Sequence, residues 1–368
     1  NVGASAITSY IAVATKTSNG TAVSATGASS PITITGMTNG SAYTIQVCAV
    51  NTYGPGPYSA PSGSVTPYAP KLFTWGINNN GQLGQNNIVY RSSPVQVGSD
   101  ATWLNVSGGQ YFTVAAKTDG TLWSWGANNY GQLGQNDRVY RSSPVQVGAL
   151  TNWSGLAAGS YQVLTIKTDG TLWSWGYNTL GQLGDGTKIN RSSPVQVGSL
   201  TNWSTISAGD YFGLGIKTDG TAWAWGSNDF GQLGQNNKVY KSSPTQIGAD
   251  TNWSKVACGK FHAIATKTDG TLWSWGKNDY GQLGQGDTAD RSSPIQVGAL
   301  TNWSKITARQ YFSLAVKTDG TLWAWGNNGF GQLGLNNTTN VNSPVQVGGS
   351  TSWIFIAAGA TTSLAILG

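Results

Sequence analysis

From Leu72 onward the chain alternates apolar and polar residues in short runs, and glycine or asparagine closes each run. No stretch carries the three-and-four spacing of an amphipathic helix. A unit beginning at Ser142 shows the pattern. Pro144–Gly148 reads as a short strand opened by proline, which an edge strand tolerates. Trp153–Ala158 and Tyr161–Lys167 read as the second and third strands. Thr168-Asp169-Gly170 is a turn with glycine where a positive φ is required. Thr171–Gly176 is the fourth strand. Four strands joined by hairpins make a propeller blade. A β-helix is the rival architecture, but its coils are usually shorter and lack hairpin turns.

The unit repeats. LWSWGANNYGQLG at Leu122 returns at Leu172, Ala222, Leu272 and Leu322, and a plainer copy, LFTWGINNNGQLG, opens the series at Leu72; the step is 50 residues throughout. A fixed period of this length decides the fold. All 17 tryptophans fall in three registers: six from Trp75 to Trp325, six from Trp103 to Trp353, and five from Trp123 to Trp323. Trp173 and Trp175 lie two apart, so they leave one face of one strand. Trp75, Trp125, Trp175, Trp225, Trp275 and Trp325 are the expected repeat core. Because blades pack sheet on sheet, large flat side chains suit both faces. The first unit lacks two preceding strands, and the last, Trp353–Ala358 with Ser363–Leu367, lacks two following ones. Pairing Leu72–Gly76 with Ser363–Leu367 is expected to complete the ring. The expectation is an all-β, six-bladed propeller over residues 72–368, closed by its terminal strands so that no edge stays free.

Residues 1–66 do not share the period. Alternation predicts strands at Tyr10–Ala14, Ile32–Ile34 and Tyr43–Val50, with turns at Asn19-Gly20 and Asn39-Gly40. The Tyr43, Ile45, Val47 alternation, then Ala49-Val50-Asn51, Gly54 and Ser59, resembles the later two thirds of a fibronectin type III domain. The first strands of that sandwich have no counterpart, so a partial β-sandwich is expected. Residues 67–71, Pro-Tyr-Ala-Pro-Lys, form a stiff linker.

Gly-x-Asn-x-x-Gly-Gln-Leu-Gly after a tryptophan, framed by Ala-Ala-Gly and Lys-Thr-Asp-Gly-Thr, resembles the regulator of chromosome condensation repeat family. The near-identity of the units is similar to the bacterial and phage versions, which accompany fibronectin-like modules in surface proteins. The resemblance to the eukaryotic founder implies seven blades and nucleotide exchange on a small GTPase through an inserted wedge. Here the count is six, and every unit is a bare 50 residues.

Composition narrows the functional classes. Only 9% of residues are charged, glycine is abundant at 51, and the 14 acidic residues are all aspartate. A hydroxyl- and amide-rich surface of this kind is common among secreted and virion-surface β proteins. The net charge of +6 is dispersed, whereas phosphate recognition needs clustered cations, so no nucleic-acid partner is expected. Cys48 and Cys258 occupy small apolar positions and read as buried thiols. No run reaches the ~18 apolar residues of a membrane helix. The C-terminal WIFIAAGATTSLAILG aligns with WSKITARQYFSLAVK and reads as another partial repeat. The chain starts at Asn1 without an initiating Met, so it is expected to be the C-terminal part of a longer or processed polypeptide.

Candidate chemistry is sparse. The single histidine, His262, shares its slot with Phe112, Gln162, Phe212, Phe312 and Thr362 and reads as a structural variant. Asp119, Asp169, Asp219, Asp269 and Asp319 recur in one turn per unit and read as turn formers. No metal-ligand spacing, phosphate loop or nucleophile motif is present, and no cofactor, metal or catalysis is expected. Asp185 and Asp287 bring one carboxylate to each loop, too few for calcium. Arg91, Arg141, Arg191, Lys241 and Arg291 share a slot that Val341 interrupts. They read either as a cation ring for an anionic glycan or lipopolysaccharide phosphate, or as stems packed on the neighbouring blade that cap carbonyls. The units differ most at 77–80, 85–91 and 110–112, counted in the first unit, and loops on a rigid scaffold usually carry binding residues. Tyr90, Tyr140 and Tyr240 are candidates for stacking on a sugar. The expected function is a non-enzymatic structural or adhesive module on a phage virion or bacterial cell surface. It would bind other surface or virion proteins, or glycans, within a larger assembly. A carbohydrate-binding lectin is the first alternative and a GTPase-regulating propeller the second.

Overall fold

The computed structural model describes residues 5–368 and divides into two compact units, Asn1–Lys71 and Leu72–Gly368. In the first unit Ile7–Lys16 pairs antiparallel with Ala22–Gly27 on one side and Tyr43–Asn51 on the other; the short Gly54–Pro55 completes the sheet. Gly20 and Gly40 take φ of 73° and 76° in the predicted turns. Ile32–Ile34 forms no strand. Pro31 lacks an amide donor and Gly36 turns to a φ of 81°, so the run between them is too short to ladder. Ile32 and Ile34 instead line a cavity of about 550 Å³ with Tyr10, Ala12, Ile45 and Val47.

The second unit is a β-propeller. Its first complete blade is Trp103–Gly108, Phe112–Lys117, Leu122–Gly126 and Arg141–Gln146, hydrogen-bonded in that order. Four more follow at 50-residue steps, ending with Val341–Gln346. The strand predicted to open at Pro144 begins at Arg141, and its register shifts between Arg141 and Val145. In each blade the second strand is almost wholly buried, while the first lies against its counterpart in the next blade and so lines the axis.

The repeat motif acts at the joint between blades. Asn128 Oδ1 accepts from the Leu133 amide, and Asn128 Nδ2 donates to the carbonyls of Asp137 and Val139, which fixes the long loop. Gln132 Oε1 accepts from the Tyr130 amide. The loop so formed presents the Gln132 carbonyl to Trp175 of the next blade, whose indole donates to it at 3.0 Å. Gly134, at φ 68°, leaves room for that ring; a Cβ there would lie 2.9 Å from the indole nitrogen. The same indole-to-carbonyl bond recurs at 2.9–3.0 Å for Trp125, Trp225, Trp275 and Trp325, all fully buried. Burial of each such ring contributes roughly 1.5–3 kcal/mol.

Trp75 departs from this set. The terminal strands do not pair: Phe73–Gly76 with Arg91–Gln96, and Trp353–Ala358 with Ser363–Leu367, stand as separate two-stranded sheets. The expected closure of the ring is therefore not made, and Trp75 is 53% exposed instead of belonging to the core. The two ends nevertheless adjoin: Phe73, Trp75 and Ile77 line one cavity of about 680 Å³ with Ala360, Thr361 and Thr362 of the last unit.

Candidate interaction face

The loops between first and second strands surround the propeller axis at one face. Consecutive loops are tied by backbone bonds: the Gln110 amide donates to the Ser160 carbonyl at 3.1 Å, and the Lys260 amide to the Gln310 carbonyl at 2.8 Å. Each loop then presents an aromatic or polar residue beside the axis: Tyr111, Tyr161, Tyr211, Phe261 and Tyr311. The loops between third and fourth strands emerge at the same end and bring in Tyr130, Tyr177, Phe230 and Tyr280. These rings meet across blade boundaries. Tyr130 lies 5.4 Å from Tyr161 and 4.7 Å from Tyr177, and Tyr161 stacks on Tyr211 at 6.2 Å between centroids. Phe230 lies 5.2 Å from Phe261, and Tyr280 lies 5.1 Å from Tyr311. Apart from the more exposed Tyr111, all are half-buried, anchored by one another with an edge or face left to solvent.

Charge enters this face on one side. Lys260 sits over Phe261 and Tyr311, and Lys277 sits 4.3 Å above Phe230 while pairing with Asp279 at 2.8 Å. Asp210 lies 3.8 Å from Lys260. Burial pushes its carboxyl above the ordinary range, against the pull of Ser160, Lys260 and Arg309. Burial likewise lowers the Arg309 guanidinium, and the Arg309 side chain reaches the Gly108 carbonyl at 3.3 Å. Burial also raises the Tyr161 hydroxyl to about 12, so it stays a neutral donor and acceptor.

The residues singled out in the sequence lie elsewhere on the loops. Arg141 binds Asp137 at 2.6 Å and caps the Val139 carbonyl, Arg191 binds Asp185 at 2.8 Å, and Arg291 binds Asp287 at 2.5 Å and caps the Ala289 carbonyl. Three of the five cations are thus neutralised inside their own loops, and Asp185 and Asp287 serve those pairs. Burial would raise the Asp185 carboxyl, but hydrogen bonds from Thr187 and Arg191 outweigh it and hold it low. Arg91 and Lys241 have Asn87 and Asn237 where Asp137 stands. Tyr140 donates to Asn129 at 2.7 Å and Tyr240 donates to Asp229, while Tyr90 is 55% exposed. The aromatic set around the axis was missed as a set. Its signal was an aromatic residue recurring at Tyr111, Tyr161, Tyr211, Phe261 and Tyr311 beside the variable 77–80 slots, which the fold places together.

The remaining candidates are structural. Asp169 Oδ1 accepts from both the amide and hydroxyl of Thr171, whose oxygen in turn accepts from the Trp173 indole. These bonds recur in every complete blade and hold the carboxyls below their ordinary value. His262 is fully buried, its Nε2 3.0 Å from Ser313 Oγ, and burial lowers its pKa to about 3. Cys48 and Cys258 are buried free thiols, and burial raises the Cys258 thiol to about 12. Among the described residues no cluster of His, Cys, Asp or Glu has metal-binding geometry.

The sequence matches the family model of the regulator of chromosome condensation (RCC1) repeat over residues 71–116, 119–166, 169–216, 219–266, 269–316 and 319–366. Among solved structures, human WBSCR16 superposes with a TM-score of 0.73 at 19% identity, covering 98% of this chain and 99% of that one. Prp20p of Saccharomyces cerevisiae gives 0.72 at 18%, covering 98% and 92%; that structure is described with its binding to Gsp1p and histones. Kap60-bound yeast RCC1 gives 0.71 at 18%, covering 88% and 78%. At these identities the likeness establishes the fold. No curated relative matches the sequence.

Proposed function

The chain belongs to the RCC1 repeat family, and on that premise we propose that it is a non-enzymatic adhesive module whose working surface is the aromatic face around the propeller axis. The observation that carries this reading is the convergence of Tyr130, Tyr161, Tyr177 and Tyr211 from three successive blades onto one half-exposed patch. Aromatic faces set among hydroxyls and amides, with few charges, suit the apolar faces and hydroxyl edges of a glycan chain. The low charge and near-identical repeats support display on a bacterial surface or phage particle. The cation slot is the weaker candidate, because three of its members are spent on carboxylates of their own loops. The sole histidine is buried and neutral, which argues against general acid–base work.

A second reading is a protein-docking platform. The structural neighbours include one described with Gsp1p and histone binding and one bound to Kap60. Tyrosines and an arginine beside a flat face also suit a protein partner. Binding of the full chain to a glycan array separates the two. Retention that is lost in Tyr161→Ala and Tyr211→Ala supports adhesion through sugar, and no retention on any glycan favours the protein platform.

A further inference from the structure

In five of the six repeats the residue that opens the loop between first and second strands is glycine: Gly109, Gly159, Gly209, Gly259 and Gly359. Packing enforces the choice. A Cβ on Gly109 would lie 1.9 Å from the Phe112 ring, one on Gly209 2.0 Å from Phe212, and one on Gly259 2.0 Å from His262. The remaining repeat carries Arg309 in this slot, and its backbone is rebuilt to admit a side chain. The first strand runs one residue further, Trp303–Arg309, and Arg309 pairs with Phe312. Gln310 then turns back at a φ of 42°, a conformation costly for a residue with a Cβ and taken by no other member of its slot.

The rebuilt turn delivers a charge to the mouth of the propeller axis. The Arg309 guanidinium reaches over the inner rim to the Gly108 carbonyl of the first complete blade at 3.3 Å. That is its one side-chain bond among the described residues, so most of its N–H donors stay unspent. No carboxylate oxygen lies within 4.0 Å of it among the described residues. Asp210 lies in the next slot of the rim loops, which otherwise holds Gln110, Ser160, Lys260, Gln310 and Ala360; its oxygen lies 3.8 Å from Lys260 and answers that charge. Lys277 is likewise paired, with Asp279. Arg309 is left as the excess positive charge of this rim. It is half-buried and two residues from Tyr311, within the aromatic face. A long bond to one neutral carbonyl is a small return for a strained turn, since five repeats form the rim with glycine. A tie across the rim therefore does not by itself account for Arg309.

We propose that Arg309 marks an acid-binding subsite at the mouth of the axis, and that the glycan taken by the aromatic face carries a carboxylate there, as a uronic or sialic acid does. This inference rests on the glycan reading above and names the chemical class of its ligand. The planar guanidinium fork matches the two oxygens of a carboxylate, which a point charge such as Lys260 does not. The sugar rings lie against the neighbouring tyrosines while the acid accepts two parallel bonds from Arg309. Because the pair is partly shielded from water, added salt weakens it only modestly.

The test uses the full chain and matched pairs of immobilised oligosaccharides, each with its carboxylates intact or reduced to alcohols: oligogalacturonate, hyaluronan fragments and sialyllactose. The readout is the ratio of acidic to reduced affinity within a pair, measured by surface plasmon resonance. At least one pair is expected to favour the acid by about tenfold or more. Arg309→Gly restores the residue of the other five repeats and should bring the ratio to about one; Arg309→Gln, which keeps the side chain's reach, should do the same. Arg141→Ala removes an equal charge away from the axis and should leave the ratio unchanged. Glycans bound with no preference for the acid overturn the proposal and leave the glycan reading standing. An acid preference that survives in both Arg309 variants, or that falls equally in Arg141→Ala, also overturns it. No binding to any oligosaccharide sinks both readings together.

Discussion

At the scale of single residues, burial and backbone conformation make separable predictions. Gly148 has a φ of 62° with open space around it, whereas Gly134 has a φ of 68° with an indole against it. Gly148→Ala should cost only the left-handed backbone penalty, about 1–2 kcal/mol. Gly134→Ala should cost clearly more, because the Trp175 ring must also move; urea denaturation of both variants checks the order. His262 gives a pH signature. Its folded pKa is about 3, below the unfolded value of 6.5, so the unfolded chain takes up the proton first as pH falls. The stability associated with neutral His262 is present above about pH 6.5 and is lost towards pH 3, by up to about 1.4 kcal/mol per pH unit. His262→Gln borrows the residue that stands at position 162 and should flatten that slope between pH 6 and 4. An unchanged slope in the variant would place the titration elsewhere.

At the scale of elements, each blade depends on its neighbour's tryptophan. Trp175→Ala empties a fully buried site and should cost about 3–5 kcal/mol, while Trp75→Ala, at a half-exposed ring, should cost far less. The loop ion pairs are predicted to matter little. Arg141→Ala removes a partly exposed pair and should cost about 0.2–1 kcal/mol by thermal denaturation, with ligand binding unaffected. Much of this was legible in the sequence because it is local or strictly periodic. The tryptophan registers, the Asp-Gly-Thr turns and the strand boundaries near Trp153 and Leu172 follow from patterns within one unit. Ile32–Ile34 misled because alternation alone cannot show that a flanking proline and glycine leave no room to ladder. That the terminal strands stand as separate two-stranded sheets was not legible, because the repeat puts Ser363 and Trp75 in the register that pairs in complete blades. The aromatic face was half legible. Tyr130 and Tyr161 meet through different loops of adjacent blades, so the sequence showed a variable slot for one and a recurring aromatic for the other, not their contact.

At the scale of the whole propeller, a stiff ring of repeated joints positions loops that are free to differ. Variation is tolerated at the loop tips because the asparagine, glutamine and glycine of each motif already hold the loop backbone. That division explains why the units are near copies in their strands and motif residues and differ in their loops, both at the axis and in the 85–91 slots. The most direct test is a glycan array probed with the full chain, its Tyr161→Ala/Tyr211→Ala variant and its Arg141→Ala/Arg191→Ala variant at two salt concentrations. The aromatic-face account predicts binding that survives the arginine changes and higher salt and falls at least tenfold in the tyrosine variant. Binding that ignores the tyrosines but vanishes with the arginines or with added salt would contradict it and return the site to the cation slot.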